Sequence, residues 1–169
     1  MTRRDNAFSL VESIISIVIV GGLLVAALTA LGASRIGQFS ISTQARATML
    51  ADGLMNEILQ HAYEESSAGS LGLDAGEDTG DRSHFDDVDD YDGWASSPPQ
   101  QADGTIIPES SHYSRSVTVN WVDPNNPLQL SISDSSVKLI TVSVSHNGKT
   151  LATMSALRTR ARQSMETGR

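Results

Sequence analysis

The chain contains 169 residues, of which 20 are acidic, 12 are Lys or Arg and none is cysteine, so its formal net charge is −8. This length predicts one membrane helix and one small domain, and the absence of cysteine excludes disulfides and thiolate metal sites. The negative charge argues against nucleic acid as a partner, because binding phosphates requires clustered Lys and Arg side chains.

The N-terminal stretch combines two arginines, one acidic side chain and a long apolar run. Arg3 and Arg4 come first, Glu12 follows, and residues 14–33 carry no charge. About 20 predominantly apolar helical residues, at roughly 1.5 Å each, match a hydrocarbon core of about 30 Å. The two arginines predict a cytoplasmic N-terminus, so the chain beyond about residue 34 is expected outside the cytoplasm.

Glu12 is the most informative residue of the sequence, because it lies just before this apolar run. A carboxylate near a bilayer interior is costly and therefore indicates a function. An ordinary secretory signal or an uncleaved anchor is the simpler explanation of an apolar N-terminus. A secretory signal has a shorter apolar stretch, of about 7 to 15 residues. A simple membrane anchor does not require an acidic residue between its basic N-terminus and its apolar run.

Residues 7–12, with the sequence Ala-Phe-Ser-Leu-Val-Glu, resemble the N-terminal signature of type IV prepilins and type II secretion pseudopilins. That signature reads Gly, Phe, any residue, Leu, any residue, Glu, and it precedes an apolar helix. In the family, a membrane peptidase removes the basic leader and methylates the new N-terminus, and the Glu helps to dock the subunit into a filament. The resemblance implies cleavage between Ala7 and Phe8, N-methylation of Phe8 and a docking role for Glu12, with Ala7 in place of the usual Gly.

The resemblance also implies a function, a location and a set of partners. The chain is expected to be a structural subunit, not an enzyme, that moves from the inner membrane into a type IV pilus or a type II secretion pseudopilus. Its domain is expected in the periplasm before assembly. The expected partners are other pilin or pseudopilin subunits, the prepilin peptidase and methyltransferase, the inner-membrane assembly platform and membrane lipid.

Three features favour a minor subunit over the main building block of a filament. They are the unusual acidic loop, the atypical Ala7 and the lack of a disulfide. The spacing of the N-terminal helix and the run Phe-Asp-Asp-Val-Asp-Asp-Tyr at residues 85–91 are similar to minor subunits of mannose-sensitive haemagglutinin type pili. The alternative function is a singly anchored extracytoplasmic binding domain that does not polymerise.

The expected fold is α+β, a pilin-like ladle in which a long N-terminal helix packs on a small antiparallel sheet of at least three strands. Six segments are expected along the chain: a cleaved basic leader (1–7), a transmembrane and assembly helix (8–33), an amphipathic helix continuation (34–65), an acidic Gly/Ser/Asp-rich loop region (66–112), the antiparallel sheet (113–160) and a polar tail (161–169).

The helix is expected to continue from the membrane half into the domain. No Pro occurs from Ser34 to Tyr63, and the stripe of Leu50, Leu54 and Ile58 has the four-residue spacing of one helical face. The alternative is a pair of helices broken near residues 32–37, because each glycine there costs about 1 kcal/mol of helix propensity in water.

The loop region holds nine of the 20 acidic residues, between Asp74 and Asp92. Residues 84–94 are expected to dock against the domain through apolar side chains spaced three apart, which are Phe85, Val88, Tyr91 and Trp94. Five carboxylates in the same stretch offer the hard oxygen ligands that calcium takes: Asp86, Asp87, Asp89, Asp90 and Asp92. They fail the EF-hand register, so a calcium site and a solvated acidic loop are both open; no other cofactor is expected.

The C-terminal third has the two-residue alternation of half-buried strands at residues 117–122, 137–146 and 150–158. Asn147-Gly148 between the last two predicts a type I′ hairpin, which needs positive φ at both central residues. Three strands cannot bury their apolar face alone, so the amphipathic helix is expected to supply the missing layer. No catalytic pattern stands out, since the four histidines are scattered without metal-ligand spacing (His61, His84, His112 and His146).

Overall fold

A computed structural model of the chain describes residues 10–64, 71–73 and 81–161. Among these residues the layout is α+β, with one long N-terminal helix and a small antiparallel sheet of five strands. The chain divides into two compact units after Ser42.

Helix α1 spans Leu10–Ile58 without a break, so the alternative of two helices separated near residues 32–37 is wrong. It ends at Ile58, short of residue 65, where the amphipathic continuation was expected to end. The amide of Gln60 donates to the carbonyl of Glu57, and that of His61 to the carbonyl of Ile58, both at 3.1 Å. These three-residue bonds tighten and close the last turn, as is common at helix C-termini.

The first unit exposes its apolar side chains along the N-terminal part of α1. Leu10, Ile17 and Leu23 are 76%, 72% and 66% exposed, and the same holds for the other large apolar residues up to Leu31. The described residues contain one helix that is long and apolar enough to cross a membrane.

The second unit contains the rest of α1 and the sheet. The strands are β1 (Ala95–Ser96), β2 (Tyr113–Asp123), β3 (Asn126–Leu130), β4 (Val137–His146) and β5 (Lys149–Thr159). Their order is β1-β2-β4-β5, all antiparallel, and β3 pairs with β2 outside this path. Asn147 and Gly148 join β4 to β5 with φ angles of 49° and 78°, which confirms the positive φ expected of this hairpin.

The predicted stripe of α1 forms the core of the second unit. Leu54 and Ile58 are fully buried and Leu50 is 7% exposed, which confirms the buried helical face. They pack with the inward side chains of the central strands, among them Val119 and Val142. Burying apolar side chains of this size stabilises a fold by about 1.5–3 kcal/mol each, so the helix and the sheet depend on one another.

Residues 84–94 also pack into this core. Phe85, Val88 and Tyr91 are buried, and Trp94 is partly buried against them. The docking expected from the three-residue spacing is therefore confirmed. A short 3₁₀ helix, Asp89–Tyr91, lies in the middle of the segment and contacts β2.

Candidate functional site

Glu12 lies in the first turn of α1 and is exposed. A carboxylate at this end of a helix is stabilised by the partial positive charge of the free backbone N–H groups. The apolar side chains of Val11 and Ile14 near it are exposed, at 63% and 53%. The ion pairs among the described residues do not include Glu12. Ala7 and Phe8, the expected cleavage pair, lie outside the described residues, so cleavage and methylation stay predictions.

The acidic segment is folded, and its carboxylates accept hydrogen bonds from backbone N–H groups. Asp87 Oδ1 accepts from the amide of Asp89 at 2.8 Å, and Asp90 Oδ2 accepts from the amides of Asp86 and Asp87 at 2.9 and 3.1 Å. Asp92 Oδ1 accepts from the amide of a β2 residue at 2.8 Å. Asp87, Asp90 and Asp92 therefore shape the segment or attach it to the domain, and Asp89 does so through the lysine described next.

Asp89 pairs with a lysine inside the protein. Lys138 Nζ on β4 donates to Asp89 Oδ1 and to the carbonyl of Tyr63, each at 2.5 Å, and lies 4.2 Å from the centre of the Tyr63 ring. Both charged side chains are buried, at 3% and 1% exposure. Burial raises the pKa of Asp89 to about 7, and hydrogen bonding with Asp87 adds to this, while Lys138 opposes it. The pair connects the acidic segment, the sheet and the chain just after α1.

A second charged group attaches the same segment to α1. Arg82 Nε and Nη2 donate to the two carboxylate oxygens of Glu57 at 2.7 and 3.1 Å, and the guanidinium lies 4.2 Å from the centre of the Trp94 ring. The Tyr91 hydroxyl donates to the same carboxylate at 3.1 Å and lies 3.1 Å from Nε2 of His61. Burial and the charge of Glu57 raise the pKa of Tyr91.

These carboxylates do not converge on one point. In the described ranges, no three acidic or histidine side chains are grouped as a metal ion would require. The calcium site stays a prediction, and a calorimetric titration with Ca²⁺ tests it through heat and a thermal shift at millimolar concentration. In the described geometry, residues 81–94 connect α1 to the sheet through the buried pair of Asp89 and Lys138 and through the partly buried contact of Arg82 with Glu57.

Three buried cations on the inner face of the sheet were not predicted from the sequence. Arg115, Lys138 and Arg158 are 4%, 1% and 2% exposed and lie on the three adjacent strands β2, β4 and β5. Burial, together with the charge of Arg82, lowers the pKa of Arg115 to about 10. The sequence pattern does indicate their burial, because each cation lies at the same two-residue alternation as the buried side chains of its own strand, as Lys138 does with Ile140.

Comparison with protein-family models, with curated proteins and with solved structures gave no match to the chain.

Proposed function

We propose that the chain is a minor pilin or pseudopilin, a structural subunit that prepilin peptidase processes and that then enters a type IV pilus or a type II secretion pseudopilus. The observation that carries the proposal is Glu12, a carboxylate in the first turn of α1 that precedes the charge-free apolar residues 14–33 and directly follows a prepilin-like cleavage sequence. The family resemblance supplies the rest of the function, including the inner-membrane location and the periplasmic domain.

The physical reason concerns the cost of a charge in lipid. An unpaired carboxylate in an apolar bundle is strongly unfavourable, whereas a carboxylate that meets a cation keeps its charge at a much lower cost. Cleavage before Phe8 creates a new cationic amino group four residues from Glu12, and methylation preserves its charge. In the proposed mechanism, Glu12 of an incoming subunit pairs with the amino group of Phe8 on its neighbour.

Two features of the described chain support this proposal. Helix α1 continues from the apolar stretch to Ile58, so the part that would enter a bundle and the part that packs on the sheet belong to one element. The sheet is antiparallel and covers the C-terminal stripe of that helix, an arrangement compatible with the ladle of pilins.

Mass spectrometry of the mature N-terminus tests processing. The expected product begins at an N-methylated Phe8. An intact Met1, or a cut beyond Ala33, would instead favour the singly anchored binding domain and contradict the proposal.

A carboxylate-to-amide change tests assembly. Glu12→Gln should leave membrane insertion and domain folding intact and should reduce the amount of the chain recovered in sheared filaments. Asp52→Asn is the matched control, because Asp52 is an exposed carboxylate on the same helix, away from the apolar stretch. Equal filament incorporation of Glu12→Gln and Asp52→Asn would refute the docking role.

A further inference from the structure

The fold brings together two of the four histidines whose spacing in the sequence shows no metal-ligand pattern. His112 directly precedes β2, and His146 is the last residue of β4. Because β2 pairs with β4, the two imidazole rings lie close together, with their centres 6.1 Å apart and their planes at 75°. We call His112 and His146 the histidine pair.

The surrounding backbone holds the histidine pair in place. Tyr113 is the register partner of His146, and the amide of Asn147 donates to the carbonyl of His112 at 2.9 Å. The His146 ring packs on the Tyr113 ring with a centre-to-centre distance of 4.6 Å. Tyr113 is buried, and its hydroxyl donates to the carbonyl of Thr43 at 3.3 Å. His146 therefore has a fixed support, whereas His112 is exposed and can rotate about its side-chain bonds.

The distance between the two rings suits a shared metal ion. A zinc ion about 2.1 Å from a ring nitrogen lies about 3.2 Å from the centre of that ring, so two imidazoles at a tetrahedral angle have their centres about 5.2 Å apart. The observed separation of 6.1 Å exceeds this value by only about 1 Å. Rotation of the exposed His112 side chain closes that difference, and the backbone does not need to move.

The chemistry of the pair and of its neighbours selects the kind of ion. Imidazole suits copper, nickel and zinc, whereas calcium and magnesium take oxygen ligands. Ser114 and Ser145, which pair with one another beside the histidines, supply no carboxylate. Lys149 lies opposite His146 and repels any cation, so the site holds only an ion that binds nitrogen strongly. Cu²⁺ binds most tightly in the usual affinity order of these divalent ions.

We propose that the histidine pair chelates a divalent transition-metal ion, Cu²⁺ most tightly, and that water completes the coordination sphere. Two protein ligands are fewer than the three or four of catalytic and structural metal sites, and the described ranges contain no group of three. The ion is therefore exchangeable and not a permanent part of the fold. The site belongs to the second unit alone, so it depends neither on Glu12 nor on filament assembly.

A bound ion connects the start of β2 to the turn between β4 and β5. The unfolded chain does not hold the two imidazoles together, so the ion binds the folded chain more tightly. Any ligand with this preference raises the stability of the fold as its concentration increases. Loss of one imidazole removes the chelate, and with it an affinity gain of at least about a hundredfold.

Titration of the full chain in detergent with Cu²⁺ tests the proposal, by calorimetry and by electron paramagnetic resonance. Millimolar Ca²⁺ is present throughout, so that it occupies sites made of oxygen ligands. We expect one tightly bound Cu²⁺ per chain, with two coordinated nitrogens in the spectrum. His112→Gln should weaken this binding about a hundredfold, and His146→Gln should do the same. His84→Gln is the matched control, because it removes an exposed imidazole elsewhere and should change nothing.

Thermal unfolding with Ni²⁺ gives an independent result. The ion should raise the melting temperature of the parent chain and of His84→Gln but not that of His112→Gln. Without metal, the circular dichroism of His112→Gln should match that of the parent, because the side chain is exposed. Equal Cu²⁺ affinities for His112→Gln and His84→Gln, a spectrum without two coordinated nitrogens, or the same Ni²⁺ shift in all three chains would overturn the proposal.

Discussion

Replacing Lys138 by methionine tests the buried charge arrangement most directly. The change keeps most of the side-chain volume and removes the cation that contacts Asp89 Oδ1 and the carbonyl of Tyr63 at 2.5 Å. Breaking one side of a buried ion pair usually costs about 3–5 kcal/mol, because the remaining charge has no partner. Here the cost is limited, since Asp89 can take up a proton.

The pKa of Asp89 sets that limit. With a pKa of about 7 in the folded chain, against about 3.9 unfolded, the folded state binds this proton more tightly. The contribution of the protonated carboxyl to stability is complete below about pH 4 and is lost as the pH rises through 7. Near pH 6, Lys138→Met therefore loses mainly the hydrogen bond to Tyr63, about 1–3 kcal/mol. At pH 8, protonating Asp89 one unit above its pKa adds about 1.4 kcal/mol.

Urea unfolding of the full chain in detergent, followed by circular dichroism at pH 6 and pH 8, measures the loss of stability at pH 6 and the additional loss at pH 8. Lys149→Met is the matched control, because it removes the same charge from an exposed position. A double variant, Lys138→Met with Asp89→Leu, removes the carboxyl and should lose the extra cost at pH 8. The reasoning is refuted if Lys138→Met is no less stable than Lys149→Met, or if its loss is the same at both pH values.

Three other substitutions test the packing, the second charge group and the hairpin, each by the same unfolding measurement. Leu54→Ala should cost about 2–5 kcal/mol because Leu54 is fully buried, whereas Met49→Ala, at a 74% exposed position of the same helix, should cost less than about 0.5 kcal/mol. Arg82→Leu should cost about 2–3 kcal/mol, since it removes both hydrogen bonds to the Glu57 carboxylate; a loss below 1 kcal/mol would show that the pair is dispensable. Gly148→Val should cost about 1–2 kcal/mol because Gly148 has a φ of 78°, and an unchanged midpoint would contradict the strain argument.

Patterns with a single physical cause could be predicted from the sequence. The four-residue spacing of Leu50, Leu54 and Ile58 identified the buried face of α1, because a regular helix repeats its faces whatever lies around it. Asn147-Gly148 identified a hairpin, because few residue pairs tolerate positive φ twice in succession. The position of Glu12 in the first turn of α1 follows from the same local regularity.

Features that depend on distant partners could not be predicted. No strand was predicted between residues 122 and 137, yet the chain turns at Pro124 and Asn125 and returns as β3 against β2. The burial of Lys138 could not be predicted, because its partner Asp89 belongs to a separate segment of the chain. Likewise, the chain just after α1 pairs with a distant segment, since the carbonyl of Ala62 accepts a hydrogen bond from the amide of Val88.

The contact between Arg158 and the carbonyl of His61, at 2.8 Å, joins positions 97 residues apart, and it has a consequence for biosynthesis. Strand β5 is needed to complete the sheet, so the domain cannot close while the ribosome is still translating the preceding strands. The apolar helix emerges about 100 residues earlier and is available for membrane insertion long before that, since translation adds about 5–20 residues per second. In the proposed function, the nascent chain is thus anchored first and folded last, with its hydrophobic strands unprotected during the interval.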